Sequence, residues 1–333
     1  MTAAATSNLV LSAPPQRKPK VTFGDLLALT VRQQRFALAS IVLLYLAYGG
    51  WIAANGGAAE IGYWRFDPKI FVPGLAGLVA VFWGAPLLAT EYEQHTNLLA
   101  WSQDVSGTRW LVTKLTVLGG TVIVLSAALT MVERIKIGQQ SQGDQWWGAP
   151  NSPFGFLGFE DWVPLAIAYA VFGFVLGVAV GAVSRRVVTS LAVTLVGFAG
   201  VRLLVIDVVR PWLLANLITP ARNIWPVKDL VGPPTQAVTA SQPGPRDYLV
   251  INQMWLTSKG DVLPAVGTCW NRPEDSNGFA RCLADQGIVS GGSTYQPVSR
   301  LIRFQVTELV IYLVLIALCL GIAIWSVRRR AST

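Results

Sequence analysis

The sequence predicts an all-α polytopic membrane protein with six transmembrane helices, an amino-terminal interfacial helix and a small extracellular loop domain between helices five and six. Three observations carry this prediction. Hydrophobic side chains make up 53% of the 333 residues and charged ones only 13%, against about 25% charged in an ordinary soluble domain. Six apolar runs reach the roughly 20 residues that a helix needs to cross hydrocarbon with every backbone N–H and C=O bonded internally. Basic residues gather at the ends of those runs, most of them on one side.

Taken in order, residues 1–20 are polar, contain prolines and read as a disordered cytosolic tail. Thr22, followed three residues later by Asp25, resembles a capping box, so a helix is expected to start there. Phe23, Leu26, Leu27 and Val31 share one of its faces, with Asp25 and Arg32 on others. Two readings are open at this point: a helix lying in the inner headgroup layer, or an extension of the first span. The six spans are expected at Phe36 to Ala54, Ile70 to Ala89, Trp110 to Met131, Trp162 to Val183, Val187 to Val209 and Phe304 to Val327.

Arg17, Lys18, Lys20, Arg32, Arg35, Arg109, Lys114, Arg185, Arg186 and Arg328 to Arg330 all fall on one side of a six-span arrangement. The positive-inside rule makes that side the cytosol, with both termini in it. The opposite short loops hold fewer cations, diluted by Glu60, Asp67 and Glu133. No apolar core of a signal peptide occurs in the first thirty-five residues, which fits a cytosolic amino terminus. The net charge of +8 forms no continuous stripe, so membrane orientation accounts for it and nucleic acid is not an expected partner.

Within the membrane, Gly173, Gly177 and Gly181 recur at four-residue intervals and make a groove on one helix face. A neighbouring helix from the same subunit or from a second copy would fit it. Arg202, Asp207 and Arg210 mark the outer half of the fifth span. Asp207 and Arg210 stand three apart, as an offsetting pair would on a regular helix. Gln305, Glu308 and Tyr312 make a polar face on the sixth. Arg202, Asp207, Glu308 and Tyr312 are therefore candidates for a translocation path; the alternative is that they anchor helix ends at headgroup depth.

Residues 210–303 are the only long excursion between spans, opening at Pro211 and containing the breaker-rich VGPPTQAVTASQPGPR. DYLVINQMWLTSKGDVLPAV reads as a hairpin turning at Ser258 to Asp261. Trp212, Leu213, Leu214 and Leu217 suit a helix dipping back into the outer leaflet. Cys269 and Cys282, both on the oxidising side, are read as a disulfide; closing so short a loop contributes on the order of 3 kcal/mol in the chain-entropy model. Cys319 is an apolar filler in the last span.

The residues offer no catalytic constellation and no metal set. His95 is the sole histidine, which excludes a Ser-His-Asp triad and an HExxH site, and no GxxxxGK[ST] loop is present to cradle a nucleotide. The polar segment TEYEQHTNLLAWSQDVSGTRW, Thr90 to Trp110, stands out between two apolar runs. It reads either as an ordinary solvated loop or as a surface that docks another protein. Leu98, Leu99 and Trp101 offer apolar contact area, and Glu91 and Glu93 offer charge.

With its surroundings, GAPLLATEYEQHTNLLAWSQDVSGTRWLVTK, Gly84 to Lys114, this segment resembles the signature of permease subunits of type-2 ABC exporters. The actinobacterial group, with its Pro, acidic pair, Thr, Ala-Trp and later Arg-Trp, is especially similar. The likeness extends to MWLTSKGDV and to YQPVSRLIRFQVTELVIYL. It departs at His95, where glycine is usual, and at Asp104, where a small or polar residue is usual. The resemblance implies a coupling helix within residues 90–109, with Glu91, Glu93, Thr96, Leu98, Leu99 and Trp101 docking onto a separate ABC ATPase. It further implies two ATPase copies, a second permease copy in a homodimer or pseudo-dimer, and no cofactor on this chain, ATP and Mg being held by the ATPase. The expected location is the bacterial cytoplasmic membrane. An ion-coupled secondary transporter using Asp207 and Glu308 is the rival reading, although no repeated halves are visible. The transported substrate is not legible.

Overall fold

The computed structural model describes residues 22–55, 59–61, 64–66, 71–95, 106–137, 153–154, 156–226, 248–263 and 278–331. Among these, six helices are long and apolar enough to cross a membrane: Arg35–Ala54, Gly74–Glu93, Gly107–Ile135, Val163–Ser184, Val187–Asn216 and Val298–Arg329, here spans 1 to 6. The chain is a multi-pass membrane protein with a helical body. Each span is apolar around most of its circumference, the pattern of a helix with lipid or protein on every side.

A separate helix, α1 (Phe23–Gln33), precedes span 1 and is capped as the sequence predicts. The Asp25 N–H donates to Thr22 Oγ1 at 3.2 Å, and the Thr22 N–H donates back to Asp25 Oδ2 at 2.9 Å. Gln34 interrupts the helix before span 1 begins, so α1 is its own element and not an extension. Leu26 and Thr30 are buried as α1 packs along the start of span 3, while Phe23, Leu29 and Val31 stay exposed. We call the side of the bundle that carries α1 the α1 face.

Span 4 is the axis, packing against spans 2, 3, 5 and 6, whereas span 1 packs mainly on span 3. The tightest seam joins spans 2 and 4. A Cβ added at Gly173 would stand 2.9 Å from the Ala76 carbonyl oxygen, and one at Gly177 would overlap the backbone of Ala80 and Ala85. Gly181 meets the Ala85 carbonyl in the same way, and Gly84 answers from span 2 with a Cβ position 2.5 Å from the Phe174 carbonyl. The groove is thus filled by a helix of the same chain, the backbones approaching as only small residues allow.

Three π-helical turns interrupt the spans, at Ala80–Gly84, Leu115–Gly119 and Val205–Val209. Two of them lie just ahead of a proline, Pro86 and Pro211. Proline lacks an N–H and its ring collides with the carbonyl four residues back; widening the preceding turn moves that carbonyl aside. The helix therefore continues past Pro211, where the sequence predicts the start of the outer loop. Span 5 runs to Asn216, and Trp212 to Leu214 belong to the span's end instead of a re-entrant helix. Span 3 also continues further than expected, burying Glu133 (2% exposed) within the bundle instead of leaving it in a loop.

At the opposite end, the sheet face, β1 (Ala59–Ile61) pairs with β2 (Trp64–Phe66). A four-stranded antiparallel sheet in the order β3-β6-β4-β5 follows span 5: β3 (Ala221–Pro226), β4 (Tyr248–Thr257), β5 (Val262–Leu263) and β6 (Ile288–Pro297). The β4–β5 hairpin lies where the sequence places it, with Trp255 opposite Leu263 and Gly260 taking φ +84° in the turn. A helix, α2 (Gly278–Asp285), packs on β6 and buries Cys282. Cys269, its expected disulfide partner, lies outside the described residues. Gln296 fastens the sheet to span 5, its Nε2 donating to the carbonyls of Leu214 (3.0 Å) and Ile218 (2.7 Å).

Candidate functional site

Two polar arrangements stand out in this apolar body, one near each face. Near the α1 face, span 2 ends at Glu93 and span 3 restarts behind Ser106, whose Oγ caps the helix by accepting from the Arg109 N–H at 3.4 Å. Span 2 is closed by His95 in the left-handed region at φ 57°, a conformation that favours glycine. This is the position where the resemblance places glycine. Arg185 (φ 58°) closes span 4 in the same manner at the same face.

Glu91 is half-buried and Glu93 exposed, and each is bonded to a neighbouring span. Lys114, 1% exposed, donates to Glu91 Oε1 and lays its ammonium 4.3 Å from the Trp110 ring centroid. The Glu93 carboxylate accepts from the Val187 N–H at 3.0 Å, capping the start of span 5. An acidic side chain suits a helix amino terminus, where unpaired N–H groups carry partial positive charge. Ser190 adds a second tie between the same spans, donating to the Ala85 carbonyl at 3.1 Å. The acidic pair therefore joins span 2 to spans 3 and 5. Thr96, Leu98, Leu99 and Trp101 lie outside the described residues.

Near the sheet face, spans 4, 5 and 6 converge on a buried ionic cluster. Arg210 grips Glu308 with two bonds of 3.0 Å, Nε to Oε2 and Nη2 to Oε1. Arg202 donates to Glu160 Oε1 at 2.6 Å, and Arg210 reaches the same oxygen at 3.2 Å. Glu160 comes from a short helix, Phe156–Glu160, just ahead of span 4. Tyr169 donates to Glu308 Oε1 at 2.6 Å, and Arg202 Nη1 lies 3.4 Å from the Tyr312 hydroxyl. The Arg202 guanidinium also stacks 4.0 Å from the Tyr169 ring centroid. Glu308 and Tyr312 are 0% exposed, Arg210 4% and Arg202 5%.

Two guanidinium and two carboxylate groups balance one another here. The fork geometry of arginine makes such a cluster tolerable out of water, since each carboxylate receives several charge-assisted bonds. A cavity of about 30 Å³ borders it, lined by Glu160, Tyr169, Tyr45, Ser126 and Thr130. The Tyr45 hydroxyl and Ser126 Oγ lie 3.1 Å apart, extending the polar interior to spans 1 and 3.

Arg202, Glu308 and Tyr312 are thus brought together in one buried cluster. Asp207 does not join them. It is exposed, and Arg210 pairs with Glu308 and Glu160 instead. The reason is the π turn at Val205–Val209: a spacing of three shares a face on an α-helix, and the wider turn carries Asp207 away from the face of Arg210. Glu160 and Tyr169 were missed in the sequence. The available signal was charge arithmetic, two arginines in one apolar span requiring more than one carboxylate. Among the described residues no group of three His, Cys, Asp or Glu side chains could hold a metal ion.

Residues 64–210 match a family model described as ABC-2 membrane transporter related. That match supports an ABC-2 type transporter permease, a transport subunit of a family that is generally non-catalytic, and does not favour the ion-coupled rival. It covers spans 2 to 4 and most of span 5, including the whole 90–109 segment. No curated protein and no solved structure matches the chain.

Proposed function

We propose that this chain is the membrane-spanning subunit of an ATP-driven exporter, gripped by a separate ABC ATPase at residues 90–109. The observation that carries the proposal is that the family match encloses this segment, whose flanks are tied into the bundle by Glu91 to Lys114 and Glu93 to Val187. A load applied to the segment reaches span 3 through Lys114 and span 5 through Val187. It reaches span 4 through the glycine seam. Thr96, Leu98, Leu99 and Trp101 supply the contact area, and Glu91 and Glu93 act as ties behind it.

On this reading the α1 face is cytosolic and both termini lie there, in the cytoplasmic membrane of a bacterium of the actinobacterial type. Two permease copies, identical or related, work with two ATPase copies. ATP and Mg are bound by the ATPase, which supplies the energetic bias between alternative packings of the spans. The sheet face is then outside, where Cys269 and Cys282 form a disulfide. The cluster of Arg202, Arg210, Glu160 and Glu308 holds the outer ends of spans 4 to 6 as one body. The test is co-purification. The native chain retains an ATPase, and the double substitution Leu98→Asp with Trp101→Asp releases it without removing the chain from the membrane; retention by the double variant overturns the docking assignment.

A further inference from the structure

We infer that the groove along span 2 at the α1 face is a binding site for a single-chain amphiphile with an uncharged, hydrogen-bonding head. The groove encloses about 410 Å³, within the range of small-molecule sites. Span 2 lines it with Phe82, Trp83, Pro86, Leu87, Thr90, Glu91 and Gln94, which recur at helical spacing along one face. From Phe82 to Gln94 that face is roughly 18 Å long at 1.5 Å per residue.

Polarity changes along this length. The end toward the bilayer centre is made by Phe82 and Trp83, with Leu118 from span 3. The end at the α1 face is made by Thr90, Glu91 and Gln94, with Gln33 and Gln34 from the junction of α1 and span 1. Among the described lining residues the rim offers amides and a hydroxyl, and the charge on Glu91 is compensated by Lys114. A head that is rich in hydroxyl or amide groups and carries no charge satisfies that rim; an anion would meet Glu91 and a cation would compete with Lys114. The Trp83 indole N–H is already committed to the Ala37 carbonyl at 2.9 Å, leaving its ring as apolar wall. Phe82 is 58% exposed, so the groove is open along its side at that end. A long narrow volume of this size takes one alkyl chain or one flat ring system, not the paired chains of a phospholipid.

The test uses the full chain in phosphatidylcholine nanodiscs and a diazirine-bearing alkyl maltoside as photoprobe. Labelling is expected in the Phe82 to Gln94 and Trp110 to Leu118 peptides, displaced by excess dodecyl maltoside and weaker for an alkyl sulfate probe of equal length. Thr90→Trp narrows the groove at the rim and Ala37→Trp narrows it near the base; either is expected to cut labelling about tenfold, a loss of roughly 1.4 kcal/mol. Labelling spread without preference over the lipid-facing sides of spans 1, 5 and 6, and indifferent to both substitutions, overturns the site. Two sources of such a ligand separate cleanly, and either supports the site. A resident membrane component remains bound in native mass spectra, and the probe leaves ATP hydrolysis unchanged; a cargo is absent from those spectra, and the probe stimulates hydrolysis. Only the cargo arm rests on the exporter reading, and the labelling arm needs no ATPase, so the two failures are distinguishable.

Discussion

Arg210 and Glu308 face each other through two parallel hydrogen bonds of 3.0 Å, binding the sheet-face ends of spans 5 and 6. Both side chains are out of water, at 4% and 0% exposure. Removing Glu308 leaves two guanidinium groups against the single carboxylate of Glu160, whereas removing both partners leaves Arg202 and Glu160 balanced.

Glu308→Ala is therefore expected to destabilise the chain by about 3–5 kcal/mol, and the double change Glu308→Leu with Arg210→Met by much less. Thermal unfolding in detergent, with expression as a control, distinguishes these. Equal losses for the single and double variants would mean that packing, not charge compensation, governs the seam.

The Glu91 and Lys114 pair is asymmetric, and its variants should be as well. Lys114 is 1% exposed and Glu91 20%. Glu91→Ala strands a buried ammonium and is expected to cost about 3 kcal/mol, while Lys114→Met leaves a carboxylate that can reach water and costs about 1 kcal/mol. Adding Lys114→Met to Glu91→Ala should restore most of the loss. Chemical denaturation of the three variants measures this ordering, and a reversed ordering contradicts the assigned burial.

Gly177→Ala drives a methyl into the backbone of Ala80 and Ala85, so a loss of about 1–3 kcal/mol is expected. Gly197→Ala is the control, because its Cβ would meet only the Leu176 Cδ2 at 3.7 Å. Matching melting temperatures for the two variants would show that spans 2 and 4 can separate without penalty.

Asp25 gives the one pH-dependent expectation. Its hydrogen bonds from the Thr22 hydroxyl and N–H hold the carboxyl below its ordinary value. A depressed folded-state pKa means that the cap is fully present above the ordinary carboxylate value and is lost as pH falls through the folded value. Protection of the first α1 amides, corrected for intrinsic exchange, should drop in that window in the native chain. Asp25→Asn should show weak protection at every pH; a pH-dependent drop in that variant would assign the change to another group.

The helical body was legible because its signals are local. Apolar length fixes six spans, Thr22 and Asp25 announce α1, and Gly260 within SKGD marks a hairpin turn. The sheet around that hairpin was not, since its central strand β6 carries Gly291 and Gly292 and pairs with β3 from far away in sequence. The ionic cluster was half legible. Its arginines and Glu308 declare themselves as charges in apolar runs, but the pairing of Arg210 depends on a π turn that periodicity does not reveal. Glu160 sits outside the span it serves. The ties made by Glu91 and Glu93 were hidden for the same reason: Lys114 and Val187 meet them only through the tertiary packing of spans 2, 3 and 5.

The central claim is that an ATPase grips the 90–109 segment. A photo-reactive amino acid placed at Trp101, with a second at Ile224 on the sheet face as control, tests it most directly in native membranes. Crosslinking of a nucleotide-binding chain from position 101 and none from position 224 is the predicted result. Capture of such a chain from 224 alone, or from neither position while transport continues, would contradict it.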